Sequence, residues 1–334
     1  MKIGIFSLFE RFEGKADKAI KEQLELIRYA DELGLDEAWI GEHHFNDFSV
    51  CPSPSVLLSY LAATTKNIKL GAAGYLAPFY DAVRLAEEVS LLDNLSGGRI
   101  NLGFAKGAFA PDSKHFKVAP EDMRGAMFEV VEGVSALLGE VASYKGEHVS
   151  FYCTDIEPKP IQPQIPTYIA TFGSNESIRF AARHGYRLLG SQGLGLDECV
   201  AMSEIYEKEA GYKPQITVMR TFCVAGTTEE AVNAARPAID HFVKSMRAAS
   251  SYKKSPIFDE KRYTQLVRER YEFFDGGKFF DAGIIGDEDT CKRHIEYIKM
   301  KCPNATIALK PVGTTLRQNK QMLRIFNEKI RPFI

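Results

Sequence analysis

Two short segments of the chain carry residues whose types and spacing could do chemistry. Glu42-His43-His44 is the densest cluster of titratable groups in the sequence. An imidazole with an ordinary pKa of about 6.5 can transfer a proton or hydrogen-bond a developing anion. The second segment, Gly173-Ser174-Asn175-Glu176-Ser177, precedes a predicted helix. A small, hydroxyl-bearing turn at a helix N-terminus offers free N–H donors and the positive end of the helix dipole, which suits a phosphate group.

Each segment has an alternative interpretation. Neighbouring residues of a strand point to opposite faces, so only one of His43 and His44 is expected to face a site if the strand runs that far. The pair could instead bind a metal, although no third ligand stands at a telling spacing, or form hydrogen bonds within a loop. In the second segment, Ser174 as N-cap and Ser177 at position N3 could simply begin the helix.

The elements that must position these residues alternate between strand and helix. Strands are predicted at 2–8, 36–41, 68–73, 99–105, 167–171, 186–190, 216–225 and 305–310. Helices are predicted at 20–33, 55–65, 82–95, 120–138, 178–184, 196–210, 229–249, 289–301 and 316–329. Eight strands alternating with about eight helices predict an α/β fold, a (β/α)₈ TIM barrel, with a doubly wound sheet as the alternative.

Two stretches are longer than ordinary connections, roughly 140–166 and 250–288. Loops of that length in a compact domain are usually functional or disordered. The second stretch is rich in aromatic residues, and it could form a lid over a ligand, a subunit contact or plain packing. No linker changes the composition, so one domain is expected over residues 1–334.

Composition excludes several classes of protein. The 334 residues are 45% hydrophobic and carry 42 Lys+Arg against 44 Asp+Glu, a formal charge of −2. Such a chain is neither disordered nor of low complexity, and its balanced charge makes no overall case for nucleic acid or an anionic membrane. It has no run of about 18 apolar residues and no signal-peptide pattern. The six scattered cysteines suggest reduced thiols, and we expect a cytoplasmic protein.

A barrel would bring the candidate residues together, because its active-site groups come from the C-terminal ends of the strands. His43 and His44 follow the second predicted strand, and Ala73-Gly74 ends the third. Lys106 follows the fourth strand, and Gly173 follows the fifth. Small residues such as Ala73-Gly74 let a flat ring approach the backbone, but they also suit plain barrel packing.

Four segments of the sequence resemble those of a known family. Four segments occur in order: MKIGIFSLFE, GLDEAWIGEHHF, IKLGAAGYLAPFYDAVRLAEEVSLLDNLSGGRINLGFAKG and IATFGSNES. Together they resemble the bacterial luciferase-like family of flavin-dependent monooxygenases. The similarity is strongest over residues 1–110, recognisable over 166–190 and thinner beyond about 195. The EHHF segment together with RLAEEVSLLDNLSGGR is the specific part.

The resemblance implies a (β/α)₈ barrel that binds reduced FMN at its mouth. The phosphate-binding residues would be Gly173, Ser174, Asn175, Ser177 and Lys106. Ala73-Gly74 matches the family's small pair against the flavin ring, often joined by a non-proline cis peptide. His43 falls at the family's catalytic histidine, and His44 takes a supporting role.

The sequence departs from the luciferase pattern at two adjacent positions. Luciferases carry a reactive cysteine followed by arginine, whereas this chain has Ala105 and Lys106. The missing thiol argues against light emission. Lysine replaces a planar bidentate group by a point charge, which suggests modest FMN affinity.

The resemblance also implies the reaction. Reduced FMN from a separate flavin reductase would react with O₂, and the resulting flavin C4a-peroxide would insert one oxygen atom into an organic, apolar substrate, with a closed mouth excluding water. A deazaflavin (coenzyme F420)-dependent hydride transfer and a non-catalytic flavin-binding protein are the alternatives. Family habit further suggests a homodimer packed through helices near the first three strands.

Overall fold

The structure is a computed structural model that describes residues 1–46, 48–107, 109–250 and 274–334. Its strands are β1 (Ile3–Ser7), β2 (Glu37–Ile40), β3 (Lys69–Ala72), β4 (Tyr75–Leu76), β5 (Ile100–Ala105), β6 (Ala142–Lys145), β7 (Ser150–Thr154), β8 (Thr167–Thr171), β9 (Arg187–Gly190), β10 (Ile216–Val224), β11 (Ile284–Gly286) and β12 (Ala305–Pro311). Its α-helices are α1 (Ala16–Glu32), α2 (Pro54–Thr64), α3 (Ala82–Ser96), α4 (Ala110–Phe116), α5 (Met123–Leu137), α6 (Asn175–Arg183), α7 (Leu196–Ala210), α8 (Thr228–Ser250), α9 (Gly276–Asp281), α10 (Glu288–Lys301) and α11 (Leu316–Ile325).

Eight of the strands form a closed parallel barrel. They pair in the order β1, β2, β3, β5, β8, β9, β10 and β12, and β12 pairs with β1 to close the ring. Each of these eight corresponds to a strand predicted from the sequence, so the TIM barrel is confirmed and the doubly wound alternative is wrong. The short strands β4 and β11 lie beside β5 and β10.

The barrel strands are continuous apolar runs because both of their faces are covered. All five residues of β1 and all nine of β10 are buried. Continuous apolar sequences are typical of parallel strands that are covered on both faces, here by side chains inside the barrel and by helices outside it. The last strand, β12, closes the barrel between β10 and β1. Its Ile307 pairs with Val218 in β10 on one side and with Ile3 in β1 on the other.

Helix α3 shows how local sequence sets the helix limits around the barrel. The Asp81 side chain accepts a hydrogen bond from the Arg84 N–H at 2.9 Å, which caps the first turn. Gly97 follows the helix at φ 68°, a left-handed conformation that glycine adopts without steric cost. Leu85, Val89 and Leu92, which the helical repeat places on one face, are buried. The chain then turns directly into β5, which carries part of the site.

The two long stretches have different outcomes. Residues 140–166 leave the barrel as predicted: β6 and β7 form an antiparallel hairpin, and the proline-rich part returns along α3, where Gln162 bonds both carboxylate oxygens of Asp93 at 2.7 and 2.8 Å. Of the stretch 250–288, residues 251–273 lie outside the described residues, so the lid remains a prediction. Its remaining part contains α9 and β11.

Three sequence expectations bear on the class of protein. All six cysteines are free, and five are buried. Across the described ranges, no group of histidine, cysteine or acidic side chains could hold a metal ion. In the same ranges, no helix has the length and apolar character that a membrane span needs.

Candidate active site

A cavity of about 660 Å³ opens at the C-terminal ends of the barrel strands. Residues that follow β1, β2, β3, β5, β8 and β9 line it, together with side chains from α5, α8 and α9. This is the end of the barrel from which active-site groups are expected. Seven of the nine predicted site residues line this cavity: His43, Ala73, Gly74, Lys106, Gly173, Ser174 and Ser177. His44 and Asn175 are not among its lining residues.

One polar end of the cavity, which we call the histidine end, consists of Glu42, His43 and His44. The two histidines diverge: His43 lines the cavity, whereas the His44 Nε2 lies 2.7 Å from Oε1 of Glu42. The other carboxylate oxygen of Glu42 accepts hydrogen bonds from the Leu76 N–H at 3.1 Å and the Tyr80 hydroxyl at 2.9 Å. Only His43 of the pair therefore faces the cavity. The strand alternation considered from the sequence does not apply, because β2 ends at Ile40 and both histidines lie on the connection that follows it.

His43 is held neutral. Burial of its imidazole, and then the charges of His44 and Lys310, lower the pKa of His43 to about 4. The sequence suggested an ordinary pKa near 6.5. The lowering has a physical cause that only the fold creates, because a protonated ring at this position would be desolvated and close to the Lys310 ammonium. At neutral pH His43 is therefore an uncharged imidazole and a weaker base than a free histidine, with a ring nitrogen that can still accept a hydrogen bond.

A second acidic group lies close to the histidine end. Asp112 is 1% exposed, and within the described chain neither of its carboxylate oxygens has a hydrogen-bond partner. Burial raises the pKa of Asp112 to about 6. The nearby Glu42 carboxylate also raises this pKa, whereas His44 lowers it. Asp112 belongs to α4, a helix that was not predicted from the sequence. The helix carries Phe116, whose ring packs edge-on against His44 at 4.8 Å.

Ala73-Gly74 forms a small wall next to the histidine end. The Ala73 N–H donates to the Ile40 carbonyl at 2.7 Å, which ties this wall to the end of β2. The Ala73-Gly74 peptide is cis, as the family resemblance suggested. A Cβ on Gly74 would lie 2.6 Å from the backbone of Gly103 and Phe104, so no larger residue fits. Ala73 and Gly74 themselves therefore contribute at most a methyl group to the lining of the cavity.

The opposite polar end, which we call the anion end, consists of Lys106, Arg124, Ser174 and Ser177. One Arg124 nitrogen donates to the hydroxyls of Ser174 at 2.6 Å and Ser177 at 2.8 Å, and another lies 2.8 Å from the Glu176 carboxylate. Ser174 is also the N-cap of α6, with its hydroxyl accepting from the Ser177 N–H at 3.5 Å. The N-cap reading is confirmed, and it coexists with a cationic cradle at the same helix N-terminus.

Sequence reasoning missed Arg124. It lies in the first turn of a correctly predicted helix, but 50 residues separate it from Ser174. No spacing signal connects the two positions, because α5 and α6 meet only when the barrel closes. The one available hint was that α5 follows β5, the strand that leads to Lys106.

The sequence also left the apolar part of the cavity unassigned. Its lining consists mostly of aromatic and methionine side chains: Phe6, Leu8, Phe109, Met219, Phe242, Met246, Phe274 and Phe279. Phe242 and Met246 are four residues apart on α8, a spacing that places both on one helix face. Behind Phe242, the Lys310 ammonium lies 4.5 Å from the ring centroid and pairs with the buried Glu10 carboxylate.

Comparison with known proteins places this site in a family. Residues 1–300 match the family described as luciferase-like monooxygenase. The oxygenase component of the flavin-dependent trigonelline monooxygenase of Acinetobacter baylyi is 29% identical over 244 residues, which cover 69% of this chain and 68% of the relative. The alkanal monooxygenase alpha chain of Photorhabdus luminescens is 27% identical over 326 residues, covering 94% of this chain and 84% of the relative.

Solved structures share the fold. Monooxygenase RslO1 from Streptomyces bottropensis superposes with a TM-score of 0.84 at 24% identity, covering 99% of both chains. The oxygenating constituent of 3,6-diketocamphane monooxygenase from Pseudomonas putida, in complex with FMN, has a TM-score of 0.78 at 19% identity, covering 100% of this chain and 99% of that one. An F420-dependent secondary alcohol dehydrogenase has a TM-score of 0.76 at 15% identity, with the same coverage.

The family match extends over nearly the whole barrel, including both polar ends of the cavity. The chain belongs to the luciferase-like monooxygenase family and is a flavin-dependent oxidoreductase of that kind.

Proposed function

We propose that this cavity binds reduced FMN and that the enzyme uses O₂ to insert one oxygen atom into an organic, apolar substrate. The observation that carries the proposal is the arrangement of the cavity itself. It joins a cationic, hydroxyl-lined end to a neutral histidine at the other end, and the small Ala73-Gly74 wall and an apolar region lie in the same space.

The anion end fits the phosphate of FMN. Arg124 is already oriented by two serine hydroxyls, and Lys106 lines the same space. A helix N-terminus adds N–H donors and a favourable dipole for an anion. In this proposal the predicted residues Gly173, Ser174 and Ser177 surround the phosphate together with Arg124, and Lys106 supplies a second positive charge. Asn175, which does not line the cavity, has no direct contact with the phosphate.

The histidine end fits the reactive side of the flavin ring. The ring would lie against Ala73-Gly74, where no side chain larger than a methyl group intervenes. His43, neutral because of its surroundings, would accept a proton or hold it at the edge of the imidazole that faces the cavity. His44 would support it from outside the cavity. Bound reduced flavin supplies the electrons that activate O₂, while the chain binds, orients and shields it.

The partners of the reaction follow from the same features. A lysine in place of a bidentate arginine, and an Arg124 shared with Glu176, both weaken the hold on a phosphate. This supports a flavin that arrives reduced from a separate reductase and leaves after reaction. A relative that bears the name of an oxygenase component supports the same division of labour. The aromatic and methionine lining favours an apolar substrate.

Oxygen incorporation tests the proposal directly. The protein would be mixed with photoreduced FMN under ¹⁸O₂ and a panel of apolar candidates: a long-chain aldehyde, a terpenoid and an aromatic compound. We expect one ¹⁸O atom per product molecule, seen by mass spectrometry, in at least one case. Anaerobic titrations with reduced FMN and with reduced coenzyme F420 separate the two flavin classes. Tight binding of coenzyme F420 together with no binding of FMN would reverse the cofactor assignment.

We also propose that the protein is a homodimer. Helix α2 contains no charged residue, and its Val56 and Tyr60 are 67% and 50% exposed. Leu91 and Leu95 on the adjacent α3 are 49% and 57% exposed. An apolar outer face of this kind is typical of a helix that another surface covers, and a second copy would cover it symmetrically. Sedimentation should show a dimer for the natural chain and a monomer for a Val56→Glu/Leu91→Glu variant.

A further inference from the structure

Glu42 is the most heavily bonded carboxylate of the cavity. Its side chain is 1% exposed, yet it meets three donors from two segments of the chain: the neighbouring His44, and the Leu76 N–H and Tyr80 hydroxyl of the segment after β3. A buried carboxylate is tolerated only when its oxygens are satisfied in this way. Three donors around one carboxylate indicate a site built around this particular group.

The bonds of Glu42 join two walls of the cavity. His43 and His44 stand on the connection after β2, whereas Leu76 and Tyr80 follow the Ala73-Gly74 wall. At the ends of β2 and β3, the two walls are linked by a hydrogen bond from the Ala73 N–H to the Ile40 carbonyl. The Glu42 carboxylate adds a second link further out, between the segment that carries His43 and the segment that follows the wall.

The same carboxylate determines the tautomer of His44. A carboxylate can only accept hydrogen bonds, so the proton of the shared bond must lie on the His44 Nε2. The other groups that face His44 are aromatic or acidic: Phe116 and Phe45 contact its ring, and Asp112 is close enough to feel its charge. On the other side, the phenol of Tyr80 remains a donor, because burial and the Glu42 charge raise its pKa.

We propose that Glu42 is a positioning residue, which holds His43 at a set distance from the Ala73-Gly74 wall and keeps the His44 proton on Nε2. The kinetic part of this inference rests on the proposed monooxygenase function, whereas the part about the tautomer does not. Glu42 acts through its neighbours and itself transfers nothing.

The variant Glu42→Gln tests the inference with almost no change of shape. The glutamine oxygen can still accept from Leu76 and Tyr80, but its amide group then donates toward His44, whose Nε2 must give up the proton. We expect the ¹⁵N spectrum of the imidazole to show His44 Nε2 changing from a protonated to an unprotonated nitrogen. With supplied reduced FMN, kcat should fall about 10–100-fold, since small misplacements of a reacting group have effects of that size, while the Kd of FMN stays within about threefold.

Glu129→Gln is the matched control. The Glu129 carboxylate also accepts three hydrogen bonds, from the N–H groups of residues 147, 148 and 149, but it supports the hairpin and does not line the cavity. We expect this variant to leave kcat and the signals of His43 and His44 unchanged. Glu42→Asp keeps the charge on a shorter side chain and should restore the His44 tautomer, which provides a second variant if Glu42→Gln does not fold.

The outcomes separate cleanly. Unchanged imidazole signals and unchanged kcat in Glu42→Gln would overturn the positioning role. An equal loss of kcat in Glu129→Gln would also overturn it, since the effect would then be one of general stability. If the natural chain does not bind FMN at all, the proposed function fails, and the spectrum of His44 still decides the tautomer.

Discussion

The two polar ends of the cavity hold their charges in opposite ways. At the anion end, Arg124 is 30% exposed and its carboxylate partner Glu176 is 71% exposed. At the histidine end, His44 is 11% exposed, Glu42 is 1% exposed and Asp112 is equally buried. Ion pairs between exposed side chains are weak, because water competes for both partners. Buried charges, in contrast, shift the pKa of their neighbours. The anion end is thus suited to capture and release, and the histidine end to control of protonation.

Removal of His43 should produce the largest effect on turnover. With supplied reduced FMN, we expect His43→Ala to slow substrate oxygenation about 10²–10⁴-fold, the usual contribution of a positioned acid or base. The Kd of FMN should change little, because the anion end is intact. His148→Ala, in the hairpin away from the cavity, is the control. A near-normal rate in His43→Ala would remove His43 from the mechanism.

Loss of Arg124 should affect binding instead of turnover. We expect Arg124→Met to weaken FMN about 10–100-fold, since charge-assisted hydrogen bonds contribute roughly 1.5–3 kcal/mol each. Riboflavin, which lacks the phosphate, should bind both forms equally in a fluorescence titration. Arg187→Met, whose guanidinium bonds Tyr168 outside this cavity, is the control. If riboflavin and FMN lose affinity to the same extent, Arg124 does not contact the phosphate.

The buried acid Asp112 should make stability depend on pH. Its pKa is about 6 in the fold and about 3.9 in an unfolded chain, so the native state keeps its proton longer. Stability is therefore present at low pH and is lost as pH rises from about 4 to about 6. Asp112→Asn, which stays neutral, should gain about 1–3 kcal/mol over the natural chain at pH 7.5 in urea unfolding, and little at pH 4. An equal difference at both pH values would contradict the shift.

The smallest effect concerns the charge balance around His43. Because burial and then His44 lower its pKa, we expect the ring of His43 to titrate near pH 4 in ¹H–¹³C spectra. In His44→Gln its pKa should rise, yet stay below the ordinary value of about 6.5, since burial remains. Lys106→Met, at the anion end, is the comparison variant and should leave the pKa of His43 unchanged. A His43 titration near pH 6.5 in the natural chain would show that the histidine end is open to water.

Prediction from sequence succeeded where the signal was local. The eight strands were recognisable because each is a short apolar run between turn residues, and the N-cap at Ser174 because capping depends on adjacent residues. The sequence failed where the signal was absent: nothing in the chain connects Arg124 with Ser174 or Asp112 with His44. Helix α4 was missed because its seven residues, in a stretch rich in charged side chains, offer too little periodicity.

Taken by itself, the sequence determined the barrel, the strand ends at which chemistry would occur and a family resemblance specific enough to imply a flavin. Those features rest on hydrophobic periodicity and short motifs, which need no knowledge of distant contacts. The resemblance pointed to His43, but the tertiary structure alone showed that this histidine faces the cavity, why its ring is neutral, and which arginine completes the anion end. These properties depend on burial and on charges brought together from separate strands, and a linear pattern contains neither.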